Sequence, residues 1–277
     1  MKRIVFVEAP DAVGLVHRIT GVFVELGLNI VTNDEYVAQK NRRFFMRSEV
    51  VGTADDQVIR VALRERLPLA ETIWVLPERK KEIVVLATKE SHCLGDLLLR
   101  QYAGELKANI RAVIANHDTL GSLVEKFGVP FVHVPHKGLT REAHERAMLA
   151  EIHRFEPELL VLAKYMRVLS SDFVSAFPHR MVNIHHSFLP AFVGAQPYRQ
   201  AWERGVKIIG ATSHFVTDDL DAGPIIAQQV LPVDHTHSAR DMALAGRDVE
   251  KNTLANALKL VFEDRVFVFQ NRTIIFN

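Results

Sequence analysis

The run Ile83-Val84-Val85-Leu86-Ala87 decides the fold. It is a short apolar stretch of the kind a buried strand requires. Similar runs recur at residues 110–115, 131–134 and 159–163, with helix-patterned segments between them. That alternation predicts an α/β domain with a doubly wound, mostly parallel sheet and crossover helices. Ligands of such sheets lie outside the carboxyl ends of the strands. Asn116, Arg167, Asn183 and His185 all fall at such ends.

Upstream of this domain, Pro77-Glu78-Arg79-Lys80-Lys81-Glu82 is charged and opens with proline, so it reads as a linker. The expected domains are therefore residues 1–80 and 83–277. The first reads strand, helix, strand, strand, helix, strand. Val16, Ile19, Val22, Phe23 and Leu26 recur at helical spacing before Gly27 stops the helix. Residues 30–39 and 43–51 alternate around Lys40-Asn41-Arg42 as a hairpin. Asp55-Asp56 opens a second helix through Leu67, and residues 72–76 supply the last strand. At the far end, residues 238–262 read as one or two helices, followed by a hairpin from 265–269 and 273–276.

Composition narrows the function classes. Lys+Arg 34 against Asp+Glu 33 leaves +1, too balanced for an electrostatic nucleic-acid binder. No apolar run approaches the ~20 residues of a membrane span. The opening Met1-Lys2-Arg3-Ile4-Val5-Phe6-Val7-Glu8 reads as a strand and not a signal peptide, so the expected location is cytoplasmic. The single Cys93 excludes an intrachain disulfide and a cysteine-based zinc cluster. His133 with His136, and His235 with His237, lack carboxylate or thiol partners at ligand-like spacing, so no metal is expected.

The chemistry concentrates in Asn183-Ile184-His185-His186-Ser187-Phe188-Leu189-Pro190 and Leu220-Asp221-Ala222-Gly223-Pro224-Ile225-Ile226. Asn183 and His185 are two apart, so on a strand both side chains leave the same face. Asp221 follows on a turn at the mouth of another apolar run. An amide donor, an imidazole and a carboxylate meeting at strand ends suit acyl chemistry, polarising a carbonyl and shuttling protons. His186 points to the opposite face and reads as structural. Cys93 has no adjacent base in sequence and reads as buried packing.

These two segments resemble the signature of the formyltransferase family that uses 10-formyltetrahydrofolate. Gly210-Ala211-Thr212-Ser213-His214-Phe215-Val216 and Leu162-Ala163-Lys164-Tyr165-Met166-Arg167-Val168-Leu169 fit the same pattern, and the likeness spans residues 83–277. It implies catalytic roles for Asn183, His185 and Asp221. It implies a folate pocket formed by Met166, Arg167, Leu169, Val216, Thr217 and Asp219, with Asn116 as a further substrate-orienting candidate. His214 and Ser187 become supporting residues around the centre. Folate is the substrate here, and no separate cofactor is implied.

Within that family the likeness is greatest to the hydrolytic branch, the deformylases. A transferase acting on glycinamide ribonucleotide grips a phosphate with a Gly/Ser-rich loop after its first strand. Here that place reads Thr88-Lys89-Glu90-Ser91-His92-Cys93-Leu94-Gly95-Asp96-Leu97, where Glu90, His92 and Asp96 are poor company for a phosphate. With no amine acceptor bound, water becomes the nucleophile and formate leaves, a supply for purine synthesis and a balance on one-carbon pools. The rival expectations are formyl transfer to an amine acceptor and a non-catalytic folate- or amino-acid-binding regulator. One departure stands out: Gly194-Ala195-Gln196-Pro197-Tyr198-Arg199 carries arginine where the hydrolases have histidine.

The first 80 residues resemble the ACT domain, through Asp11-x-x-Gly14-Leu15-Val16 and Asn29-Ile30. That implies an amino-acid effector, glycine or methionine, near Asp11, Gly14, Leu15, Asn29 and Ile30. Asp11 and Gly14 serve equally well as a helix cap. ACT sheets pair between subunits, so a homo-oligomer, dimer or tetramer, is expected.

Overall fold

A computed structural model of the chain describes residues 1–191 and 196–276. Residues 194 and 195 of the departing segment lie outside the described residues. The chain divides into two compact units, with the break between Arg79 and Lys80.

The first unit runs β1 (Lys2–Pro10), α1 (Leu15–Glu25), β2 (Asn29–Ala38), β3 (Arg43–Val51), α2 (Asp56–Arg66) and β4 (Thr72–Pro77). Its antiparallel sheet has the order β2-β3-β1-β4. This is the βαββαβ arrangement the sequence predicts. Asp55 caps α2 by accepting from the Gln57 N–H, which accounts for that helix's start. In α1 the buried face is Leu15, Ile19, Val22 and Phe23, while Val16 is exposed. Ile19, Val22 and Phe23 thus face the core as expected, and the difference is confined to the first turn, where Leu15 and not Val16 reaches it.

The boundary expected at 80 needs an addition. Glu263–Arg265 and residues 275–276 belong to the first unit as well. The reason is physical: Arg47 is almost fully buried, and its guanidinium donates to the carbonyls of Asp264 and Glu263 at 2.8 and 3.0 Å. Phe276 adds an edge-on contact to Phe6, with ring centroids 5.5 Å apart.

The second unit begins with β5 (Lys81–Ala87), α3 (His92–Tyr102), β6 (Ala108–Ala115), α4 (Gly121–Glu125), β7 (Phe131–His133), α5 (Arg141–His153) and β8 (Leu159–Leu162). It continues with α6 (Ser171–Ser175), β9 (Met181–His185), α7 (Pro197–Arg204), β10 (Ile208–Phe215), β11 (Ile225–Pro232) and α8 (Ala239–Phe262). The hairpin of β12 (Val266–Phe269) and β13 (Arg272–Ile275) follows. The sheet order is β11-β10-β9-β8-β5-β6-β7. Strands β9, β8, β5, β6 and β7 are parallel, and β10 and β11 add an antiparallel edge. Ile83, Val85 and Val161 face one apolar layer, and Val84, Leu86 and Leu160 the other. Covering both faces is what makes these strands continuously apolar. Removing one such buried leucine to alanine costs about 2–5 kcal/mol.

The chain leaves β5 for β6 on one side and returns to β8 on the other, so the β5–β8 pair is the sheet's topological switch point. The strand ends around it are where a ligand is expected.

Candidate active site

β9 presents Asn183 and His185 on one face, and β10 runs antiparallel beside it with His214 opposite Asn183. After β10 the chain turns through Asp221, whose φ is +55°. This left-handed residue is followed by Gly223, which has no room for a side chain: a Cβ there would lie 1.8 Å from the Phe215 carbonyl oxygen. The Phe215 N–H in turn donates to the Pro224 carbonyl at 2.9 Å. That close backbone approach aims Asp221 back at β9.

The result is a short polar chain. His185 Nδ1 lies 3.2 Å from Asp221 Oδ2, and His214 Nε2 lies 3.7 Å from Asp221 Oδ1. The Asn183 side-chain nitrogen is 3.3 Å from His214 Nε2. His214 Nδ1 donates to its neighbour's carbonyl, that of Phe215, at 2.8 Å. With that proton on Nδ1, neutral His214 offers Nε2 as an acceptor, so the Asn183 amide must turn its NH2 toward it. The longer His214–Asp221 separation is then an electrostatic contact and not a hydrogen bond.

His185 is 6% exposed, and its Nε2 has no hydrogen-bond partner. With Nδ1–H given to Asp221, the lone pair of Nε2 is the free end of the ring. Burial alone would raise the Asp221 carboxyl. Hydrogen bonding from His185 and attraction to His214 outweigh it and hold the group well below the usual carboxylate range.

A cavity of about 320 Å³ opens over these groups. Asn183, His185, His214 and Asp221 line it together with Met166, Arg167, Leu169, Val216, Thr217 and Asp219. So ten of the residues picked out in the sequence meet on one wall set. Tyr165, Val168, Asp218 and Leu220 also line it and escaped the sequence reading, although Tyr165, Val168 and Leu220 sit inside the quoted motifs and Asp218 falls between two of them. The Met166 N–H donates to Thr88 Oγ1 at 2.9 Å, which ties the loop after β8 to the end of β5.

Two candidates lie elsewhere. Asn116 is buried, pairs with His136 Nδ1 at 3.3 Å and does not line the cavity. β6 is the third strand from β9 in the sheet, with β8 and β5 between, which accounts for the separation. Ser187 donates to the Ala191 carbonyl at 2.8 Å, while Thr212 Oγ1 donates to the Ser187 carbonyl at 2.9 Å. It therefore braces the segment after β9. His186, expected on the far face, reaches the cavity wall as well, and burial pushes its imidazole down to about 4. In the first unit, Asp11, Gly14, Asn29 and Ile30 are exposed, whereas Leu15 packs into the core. Gly14 takes φ +83° ahead of α1 with no side-chain cap, so Asp11 does not cap that helix.

The Formyl transferase family matches residues 81–258, and the ACT domain family matches residues 3–67. A formyltetrahydrofolate deformylase from Escherichia coli (strain K12) is 54% identical over 266 residues, covering 96% of this chain and 95% of that one. The crystal structure of a formyltetrahydrofolate deformylase from Pseudomonas syringae pv. tomato superposes with TM-score 0.95 at 38% identity, over 100% of this chain and 95% of that chain. This chain belongs to the formyltetrahydrofolate deformylase family. A glycinamide ribonucleotide transformylase from Symbiobacterium toebii is more distant, at TM-score 0.69 and 31% identity over 75% of this chain and 99% of that one. It shares the fold over that span.

Apart from the cavity, a buried polar cluster lies near the ends of β5 and β8. Glu250 of α8, 1% exposed, holds Lys164 Nζ at 3.0 Å, His92 Nε2 at 2.7 Å and the Tyr198 hydroxyl at 2.6 Å. His92, Cys93 and Glu250 offer donor atoms within 4.8 Å of one another, a grouping with metal-ligand chemistry. The Lys164 ammonium already supplies the positive charge there, and burial with the nearby Glu250 charge pushes the Cys93 thiol far up. A neutral thiol beside an occupied carboxylate does not fit a cation.

Burial alone would raise the Glu250 carboxyl, but the His92 hydrogen bond and the Lys164 charge, then the Tyr198 hydroxyl, bring it down to about 2. The unfolded value is about 4.3. The folded value is thus depressed, so its contribution to stability is complete above about pH 4.3 and fades as pH falls toward 2. Urea midpoints taken from about pH 6 to about pH 3 should decline, and decline less steeply in Glu250→Gln. Parallel curves for the two proteins would remove Glu250 as the source.

Proposed function

We infer that this chain hydrolyses 10-formyltetrahydrofolate to tetrahydrofolate and formate. The observation that carries the site assignment is His185, paired to Asp221 through Nδ1 and left with a free, buried Nε2 on the cavity wall. Nε2 takes a proton from water as the water oxygen bonds to the formyl carbon. Charge then develops on the formyl oxygen, and the second N–H of the Asn183 amide donates to it. One such donor typically lowers the barrier by roughly 3 kcal/mol. The imidazolium, held by Asp221, returns its proton to N10 as the carbon–nitrogen bond breaks and formate departs. Met166, Leu169 and Val216 form apolar walls suited to a flat pterin, with Arg167, Thr217 and Asp219 at its polar edges.

Incubation with 10-formyltetrahydrofolate and no acceptor tests this, following tetrahydrofolate and formate together. Equal amounts of both are expected, and His185→Ala should cut the rate on the order of 10³-fold or more. Formyl release that waits for an added amine would make the chain a transferase.

We propose that the reaction needs no metal or cofactor beyond the folate. Overnight dialysis against a chelator should then leave formate release unchanged, and a rate restored only by added metal would overturn this. The ACT domain match supports an amino-acid effector, which we take to be glycine or methionine acting near Gly14 and Asn29 of a cytoplasmic homo-oligomer, dimer or tetramer. No described helix is long and apolar enough to cross a membrane. Titrating each amino acid against the initial rate tests the effector, and flat titrations for both would reject it.

A further inference from the structure

Among the described residues, two that line the catalytic cavity carry a buried polar side-chain atom with no hydrogen-bond partner: His185, at Nε2, and Tyr165, at its hydroxyl. The chemistry above uses the first and leaves the second idle. Tyr165 is 6% exposed, and its ring belongs to the apolar layer of Val84, Leu86 and Phe173. A buried hydroxyl without a partner has lost its hydrogen bonds to water and gained none in return, so it lowers the stability of the empty protein. A phenylalanine would fill the same layer without that penalty.

The phenol cannot find a partner by a shift of its own backbone, which is tied on both sides. Before it, the Ala163 N–H donates to the Leu86 carbonyl at 2.9 Å, and Glu250 holds Lys164 Nζ at 3.0 Å. After it, the Met166 N–H donates to Thr88 Oγ1 and the Ser170 N–H to Glu145 Oε1, each at 2.9 Å. Glu145 is not free to accept the phenol either. Its charge reaches Tyr165, but its oxygens already receive the Ser170 N–H, the Ser170 hydroxyl and the Arg141 Nε–H. Burial pushes the phenol up to about 12, so near neutral pH it keeps its proton and stays a donor. Arg167, on the same cavity wall and close enough for its charge to act on the phenol, has only donors to offer. The missing acceptor has to come with a ligand, and a phenol beside a guanidinium suits a carbonyl or carboxylate oxygen.

We propose that Tyr165 is a substrate-binding residue whose hydroxyl donates to an acceptor oxygen of the folate, so that the bound substrate supplies the partner that the empty protein lacks. The identity of the ligand rests on the hydrolytic reading above; the unpartnered donor does not. The position is thus set for binding at the expense of stability, and the two properties respond to its loss with opposite signs.

The test is Tyr165→Phe, which removes one oxygen atom. Without ligand, the variant should melt at or above the wild-type temperature. A fall of more than about 2 °C would reveal an internal partner and overturn the proposal. With substrate the sign reverses: KM for 10-formyltetrahydrofolate should rise on the order of tenfold, and KM should carry most of the loss in kcat/KM. An unchanged KM overturns the proposal. The rise in Tm caused by tetrahydrofolate reads the same contact without turnover. At saturation it should be smaller in the variant by about 2 °C, and equal rises overturn the proposal. That rise involves no chemistry, and formate release by wild type is scored on its own, so a failure of the hydrolytic reading is distinguishable from a failure of the donor.

Discussion

Asp221→Asn lowers the turnover of formate on the order of 10³–10⁴-fold and leaves the folate KM nearly unchanged. The substitution keeps size and shape but exchanges an acceptor for a group that can donate. His185 Nδ1, now facing an amide NH2, accepts, and the ring proton moves to Nε2. The base has then lost its lone pair at the atom that meets water. The imidazolium formed during attack also loses its counter-charge at 3.2 Å. KM is spared because the pterin walls come from the loops after β8 and β10 and not from this carboxylate. Initial rates at saturating folate, with a melting curve to show the fold intact, check the result. A loss of less than about tenfold would mean that Asp221 does not orient His185.

Gly223→Ala is expected to be as damaging through a different route. The added Cβ meets backbone, 1.8 Å from the Phe215 oxygen and 3.0 Å from its carbon, and no rotamer change relieves backbone. The turn must open, which stretches the 2.9 Å bond from the Phe215 N–H to the Pro224 carbonyl and carries Asp221 away from His185. A cost of about 4 kcal/mol or more places this among the severe substitutions, with Tm lower by about 10 °C and formate release at or below the Asp221→Asn level. Gly95→Ala is the matched control. A Cβ there meets nothing within 4 Å, inside α3, so it should be neutral or mildly stabilising. Equal melting temperatures for the two alanine variants would reject the steric account.

Much of this was legible in the chain because it depends on local pattern. The apolar run at residues 83–87 announces β5, and the two-residue spacing of Asn183 and His185 puts both on one face of β9. Asp221 could be assigned from its turn context, although nothing local reveals that Gly223 is required by Phe215. What stayed hidden depends on contacts distant in sequence. Glu250 looks like one more charge on a long helix until α8 is laid against α3 and Lys164 reaches it from the loop after β8. Asn116 ends a strand, as expected, but the strand order carries it away from the cavity. Leu15 rather than Val16 turns inward because it lies four residues before Ile19, on the same face of a helix that already begins at Leu15. The residues 275–276 that join the first unit gave no sign of doing so, since pairing with Phe6 has no signature in either segment.

That last feature bears on modularity. Arg47 finds its carbonyl partners at Asp264 and Glu263, and Phe6 finds part of its cover at Phe276. A fragment ending at residue 80 would carry a buried guanidinium with those acceptors missing and a bared aromatic ring, so it is not a self-sufficient module. Excising the first unit takes more than one cut, because the chain passes back to it after Phe262 and again after Ile274. For the same reason, a single gene-fusion joint does not describe the chain: the sequence of the ACT unit interleaves with that of the second unit.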